Sequence, residues 1–261
     1  MHRSGLGRLL ISVLIAFNMA AGAFATAFSL AGKTAIVTGG SGAIGKAISR
    51  ALAGSGATVV ITGRRADALQ KVAELVSEEV RLTCEGKGGV VVPITSDVTD
   101  EASVRGLFDE VASSHGPCDL LVNSAGIAKG GPLTETSVED FSSVMNVNVV
   151  GPFICSKVAF THMIPKGGGR IINVGSISSV SPRPNSAPYT TSKFAINGLT
   201  SSLALDGRKH NIAVGAIHPG NVISDLLSPE EIARRQVIES TIYFTGSMLL
   251  ASSANSPSPR Q

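Results

Sequence analysis

A chain of 261 residues with 43% hydrophobic residues and 29 glycines can bury one substantial core, and its composition is neither disordered nor fibrous. The net charge of +3 comes from 22 basic and 19 acidic residues without a long basic run, which argues against nucleic-acid binding. Cys84, Cys118 and Cys155 form neither a Cys-x-x-Cys pair nor an even framework and read as free thiols; no Asn-x-Ser/Thr acceptor occurs.

Residues 1–27 read as a leader. His2, Arg3 and Arg8 form a basic flank, "LLISVLIAF" is densely apolar, and "AAGAFATAF" is rich in small residues. That pattern predicts a cleaved secretory signal. The apolar length, about 20 residues, also suits an uncleaved membrane anchor and hence membrane association. "AGAFAT" resembles the junction at which signal peptides of algae with complex plastids are cut, so secretory pathway, endomembrane and organelle are all expected destinations.

From residue 33 short apolar runs alternate with helical patterns. Strands are predicted at 33–38, 57–62, 89–95, 118–123, 169–176 and 211–220. Helices are predicted from the first glycine turn to about 55, then over 66–80, 100–114, a long stretch ending at Met163, and 187–207. Near-continuous Val/Ile runs in strand–helix units predict a doubly wound α/β fold, a single domain around a parallel sheet buried on both faces. After Gly220 "IYFTGSMLLASSAN" reads as a helix, so no last strand is predicted, and the Ser/Pro-rich end, 253–261, reads as disordered. A sheet without its last strand exposes an edge, which weakens the expectation of a homo-oligomer.

"TGGSGAIG" (38–45) lies between the first strand and its helix, the context in which a glycine motif cradles a pyrophosphate. Gly39 allows the tight turn, Gly45 lets helix and sheet approach, and the free N–H groups at the helix start suit an anion. The second strand ends "VVITGRR". Gly63 stands where a carboxylate would bind a ribose 2′-hydroxyl, and Arg64 and Arg65 follow. That favours NADP(H) over NAD(H), since an arginine accommodates the 2′-phosphate.

Tyr189 and Lys193 are spaced i, i+4, so on a helix starting near Pro188 they share one face. A phenol alone, with a pKa of about 10, is a poor base. An ammonium about 4 Å away, at an effective dielectric of about 20, favours the phenolate by up to about 4 kcal/mol. This predicts a Tyr189 pKa lowered toward neutrality, where acid–base catalysis works best. Ser176 ends the fifth strand, and Asn148 lies in the helical pattern after the fourth.

Together these segments resemble the short-chain dehydrogenase/reductase family, from about Phe28 to Ser224 and more weakly to Asn255. "TGGSGAIG" resembles its cofactor loop and "SDV", with Asp97 and Val98, its adenine contact. "NSAG" (123–126) resembles its Asn-Asn-Ala-Gly turn, "MNVNVVG" its asparagine segment, and "GS" (175–176) its serine. "YTTSK" resembles its Tyr-x-x-x-Lys pair and "HPGNVIS" (218–224) the loop over the nicotinamide. The resemblance implies a dinucleotide-binding oxidoreductase domain over 28–252. Gly39, Ser41, Gly42, Ile44, Gly45, Arg64, Asp97, Val98, Asn123, Ala125, Gly126, Tyr189, Lys193, Pro219, Gly220, Val222 and Ser224 would contact the cofactor. It implies that Tyr189 is the acid–base residue and that Ser176 binds the substrate oxygen. Lys193 would lower the tyrosine pKa and bind the nicotinamide ribose, and Asn148, preferred to Asn146 by its spacing to Gly151, would position a proton-relaying water.

Ala43 replaces the family's middle glycine, Ser124 its second asparagine, and Ser224 a threonine. His115, His162, His210 and His218 have no metal-ligand spacing and read as solvated or satisfied, and no metal is expected. The expected function is interconversion of a carbonyl and an alcohol on a small molecule. The rivals are a 3-oxoacyl thioester reductase and, from another class, a catalytically weak sensor or scaffold with an incomplete C-terminus.

Overall fold

The structure is a computed structural model that describes residues 29–84 and 86–220, and the backbone of 242–245. The leader, the tail, Val222 and Ser224 lie outside the described residues.

Among the described residues seven strands form one sheet in the order β3-β2-β1-β4-β5-β6-β7. They are β1 (Thr34–Thr38), β2 (Thr58–Gly63), β3 (Val91–Thr95), β4 (Leu120–Asn123), β5 (Gly169–Val174), β6 (Ile212–Pro219) and β7 (Ile242–Thr245). The first six run parallel, and β7 is antiparallel to β6. Helices α1 (Ala43–Gly54), α2 (Ala66–Thr83), α3 (Glu101–His115), α4 (Val138–Met145), α5 (Gly151–Met163) and α6 (Ala187–Gly207) connect them. The winding reverses between β1 and β4, so the chain ends of these strands open a crevice there.

β1 has all five residues buried because helices cover both faces of a parallel sheet. Successive side chains still alternate. Ile36 packs with Phe108, Val111, Val158 and Met163 of α3 and α5. Ala35 and Val37 pack with Leu69, Val76 and Val80 of α2 on the other face. Asp100 caps α3 by accepting from Ala102 N at 2.9 Å, and Ser137 caps α4 by accepting from Asp140 N at 3.0 Å. Pro188 occupies the first turn of α6, where a missing N–H costs nothing. The three cysteines are free; burial pushes the Cys118 and Cys155 thiols up to about 12, so both are inert.

The structure corrects the predicted elements at two places. The long pattern ending at Met163 is α4 and α5 joined by one π turn, Asn146–Val150. And Ile242–Thr245, expected within a helix, pairs with Ala216–Pro219 of β6. β-branched and aromatic residues favour a strand where an open edge offers partners. Over those residues the β6 edge expected to be exposed is paired.

Candidate functional site

A cleft of about 440 Å³ lies at the chain ends of β1 to β4. Gly39 turns the chain at φ +65°; a Cβ there would also stand 2.7 Å from Ala125 Cα. A Cβ on Gly45 would stand 2.3 Å from the Gly39 carbonyl oxygen, so the start of α1 rests directly on the turn. The first bond into α1 is Lys46 N–H to Gly42 O at 2.8 Å, and the first turn carries no acidic side chain. The N–H groups of residues 43–45 therefore precede the helical ladder at its positive end. Thr38 Oγ1 accepts from both Ser124 N and Ala125 N at 3.1 Å, which fixes the 123–126 turn beside that helix start.

Of the residues expected to contact a cofactor, Gly39, Ser41, Gly42, Ile44, Gly45, Arg64, Asp97, Val98, Ala125 and Gly126 line the cleft. Ala43, Gly63, Arg65, Ser96, Ser124, Ile127 and Val147 line it too. Ser96 and Val147 lie within the segments "SDV" and "MNVNVVG" but carry no expected contact, and Ile127 directly follows "NSAG". Asn123 does not line the cleft. It is buried, and its Nδ2 donates to Asn173 Oδ1 at 2.8 Å and Ser156 Oγ at 3.2 Å. Its side chain ties β4 to β5 and α5 rather than facing a ligand. Pro219 and Gly220 lie at and just beyond the end of β6.

Asp97 sits across from Arg64. The Thr99 N–H and hydroxyl, at 2.9 and 2.7 Å, hold its carboxyl below the ordinary range, and the Arg64 charge adds to the effect. A pyrophosphate, a ribose and an adenine ring fit this lining: a glycine cradle, a helix start, one acid and two arginines.

Two of the expected catalytic side chains, Asn148 and Lys193, meet beside Gly126. A Cβ on Gly126 would lie 3.3 Å from Asn148 Oδ1 and 4.0 Å from Lys193 Nζ. The π turn swings Asn148 inward, where its Oδ1 accepts from Ile127 N at 2.8 Å. Its Nδ2 donates to Ile127 O at 2.9 Å and to Ser192 Oγ at 3.0 Å. Ser192 was not singled out in the sequence; its hydroxyl also donates to Tyr189 O at 2.7 Å and so ties the π turn to α6. Lys193 is buried, donates to Val174 O at 2.9 Å, and lies 5.5 Å from the centre of the Tyr189 ring. Ser176 follows β5, and its Oγ accepts from Ser178 N at 3.1 Å.

The predicted downward shift of Tyr189 is not what this arrangement produces. Burial pushes the phenol up, while the Ser176 hydroxyl and the Arg183 charge pull it back. Burial also lowers Lys193 to about 8, so the ammonium that was to depress the phenol is itself destabilised. Its bond goes to the Val174 carbonyl, and it faces the tyrosine ring. His218, expected to be solvated or satisfied, is buried. Its Nδ1 is bonded, and its Nε2 has no hydrogen-bond partner among the described residues.

A family model described as short chain dehydrogenase matches residues 33–234. Gluconate 5-dehydrogenase of Gluconobacter oxydans (strain 621H) is 35% identical over 199 residues, 76% of this chain and 75% of its own. The NADPH-dependent aldehyde reductase-like protein, chloroplastic, of Arabidopsis thaliana is 37% identical over 202 residues, with coverages of 76% and 75%. The structure of NAD+-bound xylitol dehydrogenase superposes with a TM-score of 0.68 at 37% identity, over 73% of this chain and 70% of that one. With the glycine cradle at the β1–β4 crevice and the Ser, Tyr, Lys and Asn side chains beside it, the chain belongs to the short-chain dehydrogenase/reductase family, enzymes that interconvert carbonyls and alcohols with a nicotinamide cofactor.

Proposed function

We propose that the protein is an NADP(H)-dependent oxidoreductase interconverting a carbonyl and an alcohol, with Tyr189 as its acid–base residue. The observation that carries this reading is the convergence of Asn148 and Lys193 on Gly126, at the rim of the nucleotide cleft, with Tyr189 beside the Lys193 ammonium. When bound, a nicotinamide would supply the hydride chemistry: to the carbonyl carbon in reduction, from the carbinol carbon in oxidation. The chain supplies orientation and the proton. The Ser176 hydroxyl donates to the substrate oxygen. Tyr189 gives its proton to that oxygen in reduction and takes it back in oxidation. Lys193 stabilises the phenolate once it forms and binds the nicotinamide ribose. Both amide hydrogens of Asn148 are committed to Ile127 O and Ser192 Oγ, so its Oδ1 keeps one lone pair for a water relaying protons to Lys193.

The preference for NADP(H) is supported by Gly63, Arg64 and Arg65 in the cleft lining, with no carboxylate at the end of β2. By its name the Arabidopsis relative is NADPH-dependent. The rival reading as a catalytically weak scaffold loses its main support, because β7 pairs part of the β6 edge. Residues 1–27 enter the proposal as a targeting leader for the secretory pathway or an organelle.

The test is titration of the protein with NADPH and NADH, followed by thermal unfolding and then by turnover of a panel of ketones, aldehydes and β-ketoacyl thioesters. A ligand at 100 times its dissociation constant adds about 2.7 kcal/mol of stability. Selective stabilisation by NADPH, with oxidation of NADPH by one class of carbonyl, is expected. Equal or stronger stabilisation by NADH overturns the cofactor preference, and no stabilisation by either overturns the enzymatic reading.

A further inference from the structure

We infer that His218 is a positioning residue for Ser176, clamping the turn that presents its hydroxyl; this rests on the role proposed for Ser176 above. The imidazole reaches that turn from β6, 42 residues away in sequence. Its Nδ1 lies 3.2 Å from Ser176 O and 3.0 Å from Ser179 Oγ, and the Ser179 hydroxyl donates to Ser176 O at 2.6 Å. Ser178 N–H donates to Ser176 Oγ at 3.1 Å, so the hydrogen of that hydroxyl is left for the Tyr189 phenol, which it already bonds, or for a substrate oxygen. One short 3-10 turn, Ile177–Ser179, is thus held at both the carbonyl and the hydroxyl of Ser176.

The bonding pattern dictates the tautomer. Ser176 O can only accept, and the Ser179 hydrogen is spent on it. An unprotonated Nδ1 would point its lone pair at those oxygens, and the proton would then sit on Nε2, which is buried without a partner among the described residues. The Nδ1–H tautomer satisfies Ser176 O and Ser179 Oγ and leaves only an acceptor lone pair unmatched. Room for the ring is made by Gly175, where a Cβ would stand 2.4 Å from Nδ1, and Gly175 N–H donates to Ile217 O at 2.8 Å. The "GS" and "HPG" segments, read separately in the sequence, are therefore two halves of one packed unit. The unit places Ser176 at the end of β5 while leaving the nucleotide cleft untouched.

The first measurement is the imidazole nitrogen spectrum of the 15N-labelled full chain near neutral pH, which reads the tautomer without any cofactor. The inference expects the Nδ1–H form; an Nε2–H form overturns it. The second is the kinetics of His218→Leu and His218→Asn with NADPH and the carbonyl from the panel that is turned over best. Leucine fills the space without a donor, and the asparagine amide nitrogen matches Nδ1. A displacement of about 1 Å in a catalytic group can cost about 100-fold. Expected is a 10- to 100-fold fall in kcat for His218→Leu with the NADPH dissociation constant unchanged, and recovery of most of kcat in His218→Asn. Wild-type kcat in His218→Leu, or an equal loss in both variants, overturns the inference. If His218→Leu does not fold, Ser179→Ala carries the test: kcat must fall with cofactor affinity intact, and an unchanged kcat overturns it. Ser176→Ala separates the two levels. Wild-type turnover in that variant defeats the proposed role of Ser176, and the spectrum then decides alone whether His218 holds this turn.

Discussion

Lys193 places its ammonium 5.5 Å from the centre of the Tyr189 ring while donating to Val174 O at 2.9 Å. The lysine is anchored to the sheet, one helical turn from the tyrosine, in a site where burial disfavours its charge. The buried ammonium costs stability, and its proposed contribution to turnover is separable from that cost by mutation.

Replacing Tyr189 by Phe removes the proposed proton donor and leaves the ring in place beside Lys193. Positioned acid–base groups contribute about 100- to 10,000-fold, so kcat should fall by that range. Cofactor affinity should stay within about twofold, because the glycine cradle is untouched. Stopped-flow turnover and NADPH titration of the same preparation check both halves. Residual turnover close to wild type removes Tyr189 from the mechanism.

Lys193→Met tests the cost of the buried charge. Lysine titrates at about 10.4 when unfolded. Burial lowers Lys193 to about 8. Between those values the unfolded chain binds more protons, so stability rises with pH through that window. The contribution is complete above about pH 10.4 and is lost as pH falls through about 8, where the buried ammonium costs about 3 kcal/mol. Methionine keeps the volume but gives up the bond to Val174 O. The variant should be inactive yet more stable than wild type at pH 7 by about 1–3 kcal/mol, with the gap closing toward pH 10. Urea midpoints at the two pH values measure it. A variant less stable than wild type at pH 7 contradicts the account.

Much of this site was legible because its chemistry is local. The i, i+4 spacing placed Tyr189 and Lys193 on one face, and the glycine turn preceded α1 as its pattern required. What escaped depends on residues far apart in the chain. Asn123 looks like a ligand residue in its motif, but Asn173, 50 residues on, claims its amide. His218 looks spare until Gly175 opens space for it. The direction of the Tyr189 shift depends on burial, which no spacing encodes. The strand at 242–245 was missed because apolar residues continue past it and mimic a helix; only the free edge of β6 decides the matter.

Gly63 offers a direct handle on cofactor choice. A Cβ there would meet only Leu69 Cδ2, at 3.9 Å, so Gly63→Asp should fold normally. The new carboxylate would face the ribose at the end of β2, repel a 2′-phosphate and accept from a 2′-hydroxyl. NADPH affinity should fall at least about tenfold, or about 1.4 kcal/mol, and NADH affinity should rise. Arg64→Ala should weaken NADPH similarly and leave NADH unaffected. Parallel titrations of the two cofactors check this, and equal effects on both would assign the arginines to general charge instead of phosphate recognition.

Asn148→Asp asks whether the π turn is held by its amide. The new side chain keeps an acceptor for Ile127 N–H but sets an oxygen against Ile127 O, now 2.9 Å from Nδ2. A carboxylate there is buried and faces a carbonyl, so its protonated form, which can donate, is favoured and its folded-state pKa is raised. A raised folded pKa gives stability that is full below the unfolded value of about 3.9 and is lost as pH rises through the folded value. Relative to wild type the variant should therefore be nearly as stable at pH 4 and weaker at pH 7 by about 1–3 kcal/mol, the cost of a buried mismatch. Asn148→Ala should show the loss of stability without the pH dependence. If the aspartate variant has no pH-dependent difference, its side chain has left the turn, and the amide is not what draws residues 146–150 toward Ile127.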